Sequence, residues 1–133
     1  MTKWSFHPES GRPLITISCN GRHLRCILDT GYNNYLWMGH HLAERHHVDI
    51  PPETEQRVAT MAGGDLKPYK LVYASKILFE GALFEDVPIQ VFEGGQQQYA
   101  LLGMRMLMGF VVTLDCNEGF TQIIDPALRT DRQ

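Results

Sequence analysis

Apolar and polar residues alternate along most of the chain in short runs that end at turn-forming residues. Alternation with a period of two is typical of β-strands, because successive side chains point to opposite faces. The runs predict strands over Leu14–Cys19, Arg22–Leu28, 57–61, 69–79, Ala82–Phe92, Val111–Asp115 and Phe120–Ile124. Many short strands with closely spaced turns predict an all-β barrel or sandwich.

The first two predicted strands are joined by Asn20-Gly21. This pair is the strongest short-range hairpin signal, because both central residues of a type I′ turn need positive φ. In the second strand, Leu24, Cys26 and Leu28 fall on one face, which we expect to point into the core.

Helical patterns are confined to short segments. Residues 39–47 place Leu42 and Ala43 among polar residues, and the pattern ends before Pro51. Residues 104–108 form a second helix-like segment. We therefore predict one or two short helices.

Size and charge exclude several classes of protein. With 133 residues, 44% hydrophobic and 20% charged, the chain is expected to form one globular domain over residues 1–133. Its net charge of −3 gives no general attraction to nucleic acid or to an anionic membrane, so neither is expected as a partner. No apolar run approaches the roughly twenty residues of a membrane span. The N-terminal segment also lacks the basic flank and apolar core of a secretory signal.

The three cysteines, Cys19, Cys26 and Cys116, are odd in number and widely spaced, which argues against a disulfide framework. Cys19 and Cys26 lie within strand-like apolar runs, where a cysteine is usually a small buried hydrophobe. We therefore expect a reducing, cytoplasmic location.

Asp29-Thr30-Gly31 follows directly on the apolar end of the second predicted strand. A carboxylate at that point is costly unless it is hydrogen-bonded or paired. Gly31 suits a backbone that bends sharply, and the Thr30 hydroxyl can bond to a neighbouring main chain. This tripeptide is the main candidate for chemistry.

Two further motifs follow in a defined order. A hairpin with Gly63 and Gly64 at its tip comes after the first helix, and residues 101–103 (Leu-Leu-Gly) then run into the second helix. With this order of motifs, residues 14–124 resemble the retropepsin-like aspartic proteases, particularly the small stand-alone prokaryotic members. The resemblance implies a closed acid-protease barrel, with one or two short helices, that hydrolyses peptide bonds in a peptide or protein substrate.

The resemblance also implies roles for the tripeptide. Asp29 would be the catalytic aspartate, and the Gly31 amide would help to hold its carboxylate. Thr30 would interlock with the same residue of a second copy. No cofactor and no metal is implied.

In this family a glycine-tipped flap covers the substrate, and the Leu-Leu-Gly segment crosses behind the aspartate in a psi-shaped loop. The resemblance therefore places five residues near the substrate: Tyr32, Met61, Gly63, Gly64 and Leu102.

Tyr32 and Asn33 depart from the retroviral pattern, which usually has Ala or Ser followed by an acid. Met104 also precedes Arg105 where those enzymes have Arg directly after the glycine. Because Tyr32 is much larger than Ala, an alternative stays open. It is a catalytically silent domain that binds an extended peptide as an added strand.

Peptide hydrolysis by this route needs two carboxylates held close enough to share one proton. The chain has one Asp-Thr-Gly. Asp115 and Asp125 follow apolar strands, but neither is followed by a hydroxyl residue and glycine. We therefore predict a homodimer in which a second copy supplies the second Asp29.

Four histidines, His40, His41, His46 and His47, lie in or next to the first predicted helix. They lack the His-Glu-x-x-His spacing of a zinc site, so a solvated helix face is the preferred interpretation. A metal-binding β-domain that uses these histidines is the weaker alternative.

Overall fold

Ten strands and two short helices make up residues 2–94 and 97–127, the part of the chain described by a computed structural model. The strands are β1 Thr2–Ser5, β2 Leu14–Cys19, β3 Arg22–Leu28, β4 Leu36–Gly39, β5 Gln56–Thr60, β6 Leu66–Phe79, β7 Ala82–Phe92, β8 Ala100–Leu102, β9 Val111–Asp115 and β10 Phe120–Ile124. The helices are α1 His40–Arg45 and α2 Met104–Leu107.

Six strands close into a barrel in the order β2-β3-β8-β4-β7-β6. The ring is closed where β2 meets β6, with Ser18 opposite Leu78 and Cys19 opposite Ile77. The barrel is mixed, because β8 runs parallel to β3 and β4 runs parallel to β7. The predicted all-β, closed acid-protease barrel with short helices is confirmed.

The Asn20-Gly21 turn joins β2 to β3 as predicted, with Cys19 opposite Arg22 and φ of 50° and 83° at the two turn residues. The Asn20 side chain also holds neighbouring elements together. Its Oδ1 accepts a hydrogen bond from the Lys76 amide at 3.1 Å, and its Nδ2 donates to the His46 carbonyl oxygen at 3.0 Å. The hairpin turn is thereby tied both to β6 and to the end of α1.

The barrel interior is filled by the inward faces of the strands. Leu24, Cys26 and Leu28 of β3 are buried, as the alternation predicted. Phe79 and Ile89, from β6 and β7, are completely inaccessible to solvent. Burial of this apolar surface is the main stabilising contribution to the fold.

Three strands were not predicted: β1, β4 and β8, the last of which has only three residues. β4 is buried at all four positions, so it shows no alternation that marks it as a strand. β1 is mostly exposed and becomes a strand by pairing with β10, at the other end of the chain. Together with β9 these two strands form a separate three-stranded sheet, in the order β1-β10-β9.

The first helix is shorter than residues 39–47, because Gly39 belongs to β4 and His47 adopts a positive φ of 54°. Strand β6 starts at Leu66, three residues before the predicted start. Residues 66–70 of β6 pair with β5, and pairing with β7 begins only at Lys70. The β5–β6 hairpin therefore extends beyond the barrel wall.

Neither helix of the described residues has the length and apolarity needed to cross a lipid bilayer.

Candidate active site

Asp29 lies directly after β3, where the strand leaves the barrel. Its backbone amide donates to the Leu102 carbonyl oxygen at 3.0 Å, which continues the parallel pairing of β3 with β8. The Asp29 side chain is half-buried. Its Oδ1 accepts a hydrogen bond from the Gly31 amide at 3.0 Å. One carboxylate oxygen is thus held by the backbone of its own tripeptide.

Gly31 is close to that carboxylate. A Cβ placed on Gly31 would lie 3.3 Å from Asp29 Oδ1, which is tighter than ordinary van der Waals contact. A larger residue here would push the carboxylate aside by a few tenths of an ångström. Glycine therefore lets the amide reach the carboxylate without crowding it.

Strand β8 passes behind the Asp29 loop, between β3 and β4. The Gly103 amide donates to the Tyr35 carbonyl oxygen at 2.9 Å, and the Met104 amide donates to the Tyr32 carbonyl oxygen at 2.8 Å. A Cβ on Gly103 would lie 2.2 Å from the Asn34 carbonyl oxygen, so a side chain cannot be accommodated there. The Leu-Leu-Gly segment thereby fixes the backbone of the loop that carries Asp29.

Tyr32 points inward from the loop. Its hydroxyl donates to the Leu36 carbonyl oxygen at 3.1 Å and contacts the side-chain amide of the buried Gln90. Its ring meets Trp37 edge-on, with centroids 6.4 Å apart. Burial, with a smaller effect from Tyr69, raises the pKa of Tyr32 above its ordinary value, so the phenol stays protonated. Tyr32 therefore links the Asp29 loop to β7 through its contact with Gln90.

The glycine-tipped hairpin is a tight exposed turn. The Met61 amide donates to the Asp65 carbonyl oxygen at 2.7 Å, and the Gly64 amide donates to the Met61 carbonyl oxygen at 3.0 Å. Gly63 and Gly64 have φ of 97° and 89°, a region that favours glycine. No atom lies within 4 Å of a Cβ built at either position, so the tip stands free of the rest of the described chain.

The remaining predicted site residues differ in their accessibility. Thr30 and Gly31 are exposed, and Thr30 makes no side-chain hydrogen bond to any residue that the structure describes. Met61 is half-buried at the base of the hairpin tip. Leu102 has 0% exposure, so it reaches Asp29 through its backbone carbonyl and offers no side-chain surface to a substrate.

The two other acids considered from the sequence are used in local turns. Asp115 Oδ1 accepts from the amides of Asn117 at 3.0 Å and Glu118 at 2.8 Å, in the turn between β9 and β10. Asp125 Oδ1 accepts from the Ala127 amide at 2.9 Å, just after β10. Each carboxylate thus stabilises its own turn.

The prediction of a solvated histidine face is wrong for His46, which is buried. Its Nδ1 lies 2.8 Å from the Leu42 carbonyl oxygen, and its Nε2 lies 3.0 Å from the His23 carbonyl oxygen. His41 and His47 are exposed as predicted, and His40 contacts Glu44 at 2.8 Å. Within the described ranges, no three potential metal-ligating side chains of the His, Cys, Asp or Glu type come together.

Two residues important for the loop were missed from the sequence. Gln90 reaches Tyr32 and Asn34 from β7, and Trp37 stacks on Phe92 with centroids 5.1 Å apart. A polar residue within the otherwise apolar end of β7 was the available signal for Gln90. Its partner could not be identified without the strand register.

Comparison with known proteins places this geometry in context. A family model described as aspartyl protease matches residues 15–106, which is more than half of the chain. Among solved structures 264 chains match, and they include a retropepsin-like aspartic protease from Rickettsia conorii. It has a TM-score of 0.69 and 18% identity, and 92% of each chain is covered. A search of curated proteins gives no match.

Proposed function

The chain belongs to the aspartyl protease family, and from this we propose that it is an aspartic endopeptidase whose catalytic dyad forms across a homodimer. The observation that carries the proposal is the state of the Asp29 carboxylate. It is half-buried at a strand end, and Oδ1 is held at 3.0 Å by the Gly31 amide. In this arrangement the other oxygen is left to act on water.

A dyad performs both proton transfers of the reaction. Two carboxylates at short range cannot both ionise easily, so they share one proton. The ionised Asp29 takes a proton from water as the water attacks the peptide carbonyl carbon. The protonated Asp29 of the partner copy first donates to the carbonyl oxygen, and a proton then passes to the departing nitrogen as the C–N bond breaks.

A second copy is the economical source of the second acid. Asp115 and Asp125 are bound within their own turns, which argues against a partner from the same chain. Thr30 is exposed, and its hydroxyl bonds to none of the residues that the structure describes, as expected for a group that bonds across a two-fold axis.

Three exposed apolar residues follow one another along the chain from α2 to the start of β9, and we take them as the apolar surface of the proposed interface. They are Met104, Met108 and Val111, with relative exposures of 40%, 72% and 50%. Met104 is joined to the loop by its hydrogen bond to Tyr32. Burial of this apolar surface by a second copy would stabilise the dimer that the Asp29 dyad requires.

The inward position of Tyr32 argues against the catalytically silent alternative. That alternative rested on the replacement of the usual small residue by Tyr32, and the Tyr32 hydroxyl instead contacts Leu36 and Gln90 of its own chain. The proposed substrate is a peptide or protein segment beneath the hairpin tip of Gly63 and Gly64.

We also propose a cytoplasmic location, which rests on cysteine usage. Cys19 and Cys26 are buried free thiols, and Cys116 is an exposed free thiol. Burial raises the pKa of Cys19 to about 11, so this thiol stays protonated and unreactive.

The test is hydrolysis of a mixed peptide library by wild type and Asp29→Asn from acidic to neutral pH. Asp29→Asn removes the base and nearly preserves shape, so cleavage should be lost while the fold persists. Asp125→Asn is the matched control and should cleave like wild type. Equal cleavage by Asp29→Asn and wild type would remove Asp29 from the mechanism.

A further inference from the structure

A cleft of about 230 Å³ opens where α1 packs beside the start of β3. Arginine and histidine supply four of its seven lining residues: His23, Arg25, Arg45 and His46 line it together with Leu24, Leu42 and Gln98. The cleft is distinct from the site around Asp29.

The two guanidinium groups have no acidic partner in the described part of the chain. Neither Arg25 nor Arg45 forms an ion pair there. The carboxylates of Glu44 and Glu93 are directed instead at His40, at 2.8 Å and 3.8 Å. The positive charge of the cleft is therefore not neutralised from within the described chain.

One of the two guanidinium groups packs on a neighbouring ring, and the backbone at Arg45 is bonded by a further arginine. The Arg25 guanidinium lies over the Tyr99 ring, 5.4 Å from its centroid. Arg22 Nη1 donates to the Arg45 carbonyl oxygen at 3.1 Å, which brings a third guanidinium to the end of α1. Groups ordered before a ligand arrives lose less conformational entropy when they bind it.

His46 is buried in the wall of the cleft, and neighbouring backbone fixes the position of its ring. Its Nδ1 lies 2.8 Å from the Leu42 carbonyl oxygen, and its Nε2 lies 3.0 Å from the His23 carbonyl oxygen. The imidazole is therefore a fixed part of the lining.

We propose that this cleft binds a small anion through its phosphate or carboxylate oxygens. The planar guanidinium groups of Arg25 and Arg45 match either kind of oxygen pair in a bidentate manner. Gln98 adds a neutral hydrogen-bonding group to the same lining. Arg25 precedes Asp29 by four residues in an extended strand, a separation of about 13 Å, so the anion and a peptide substrate would occupy different places.

Calorimetric titration of the full chain tests the proposal. Inorganic phosphate and tricarballylate are titrated separately at constant ionic strength, with chloride as the balancing anion. We expect saturable binding of one anion per chain, and the two titrations distinguish phosphate from carboxylate recognition. Absence of binding by both anions up to about 10 mM would overturn the proposal.

Variants then locate the site. Arg25→Gln and Arg45→Gln should each weaken binding about tenfold, because each removes one guanidinium group that can make two parallel hydrogen bonds to the anion. Arg57→Gln, on the exposed strand β5, is the matched control and should bind like wild type. Equal affinity in the Arg25→Gln/Arg45→Gln double variant and wild type would exclude this cleft.

A measurement on the unaltered chain covers the case in which a variant fails to fold. NMR of the arginine and histidine side chains should show chemical-shift changes at Arg25, Arg45 and His46 when inorganic phosphate or tricarballylate is added. Shifts confined to residues elsewhere would contradict the assignment.

Discussion

The ring of Tyr32 lies so close to Gly103 that a Cβ on Gly103 would be 2.5 Å from Tyr32 Cδ2. The same Cβ would be 2.2 Å from the Asn34 carbonyl oxygen, which belongs to backbone and cannot rotate away. The glycine of the Leu-Leu-Gly segment is thus required by the loop that crosses it. This contact connects the Asp29 loop to β8 through packing as well as through hydrogen bonds.

Gly103→Ala should accordingly destabilise the fold strongly. Its methyl group must displace the backbone of residues 32–34, and overpacking of this kind costs about 3 kcal/mol. Gly39→Ala is the matched control, because Gly39 is also buried but a Cβ there has its nearest atoms at 3.7 Å. Urea unfolding of both variants measures the difference. A Gly103→Ala protein as stable as Gly39→Ala would contradict this packing.

Tyr32→Phe should lower the free energy of unfolding by about 1–2 kcal/mol at neutral pH, because it removes one of the two hydrogen-bond partners of the buried Gln90 side-chain oxygen. The substitution should also change how the free energy of unfolding depends on pH in the alkaline range. Burial raises the pKa of Tyr32, so the folded chain retains a proton that the unfolded chain releases. The stability contributed by this group is present below about pH 10, the usual pKa of tyrosine, and is lost as the pH rises further.

Urea unfolding at about pH 8 and about pH 11 measures that loss. Wild type should lose more stability than Tyr32→Phe between the two conditions. Tyr73→Phe is the control, because Tyr73 is 54% exposed, and it should behave like wild type. The same loss in wild type and Tyr32→Phe would show that the Tyr32 hydroxyl does not titrate as a buried group.

The turn at Asp29 could be predicted from the sequence, whereas the contacts of Tyr32 could not. The Asp29 turn is encoded locally: an apolar strand, an acid, a hydroxyl and a glycine whose amide reaches back by two residues. The Tyr32 contact spans 58 residues and depends on the register of β4 with β7, which no local pattern fixes. The motif was therefore visible in the sequence, but the direction of the side chain beside it was not.

Strand β4 and His46 were misjudged for related reasons. An alternating pattern of apolar and polar residues marks a strand with one solvent-exposed face, whereas β4 is buried on both faces. His46 looks polar in the sequence, yet it is buried with its ring nitrogens next to carbonyl oxygens of α1 and β3. In both cases the deciding partner lies in another element.

The hairpin tip offers a test of substrate closure. Gly63→Ala places a side chain at φ of 97°, and Gly21→Ala does the same at 83° in the Asn20-Gly21 turn. Neither position has an atom within 4 Å of the new Cβ, so each change should cost about 1 kcal/mol from backbone strain alone. If the tip closes over the substrate, Gly63→Ala should reduce kcat/KM about tenfold, and Gly21→Ala should leave it unchanged.

Peptide hydrolysis and urea unfolding of these two variants separate the effects. Equal kcat/KM in both variants would mean that the tip of the hairpin is a structural turn only.

The homodimer predicts that assembly and activity fall together on dilution. Because one chain supplies one Asp29, the hydrolysis rate per chain should decline below the dimer dissociation constant.

Met108→Lys introduces a charge into the apolar surface proposed as the interface, where Met108 is 72% exposed in the single chain. It should raise the dissociation constant at least about tenfold, equivalent to about 1.4 kcal/mol, because the charge must be desolvated on association. Leu83→Lys is the matched control, since Leu83 is a 54% exposed apolar residue at the β6–β7 turn. Sedimentation velocity over a concentration series, run beside peptide hydrolysis, measures both quantities. A monomer with full activity per chain at every concentration would contradict the shared dyad, and a dimer unaffected by Met108→Lys would place the interface elsewhere.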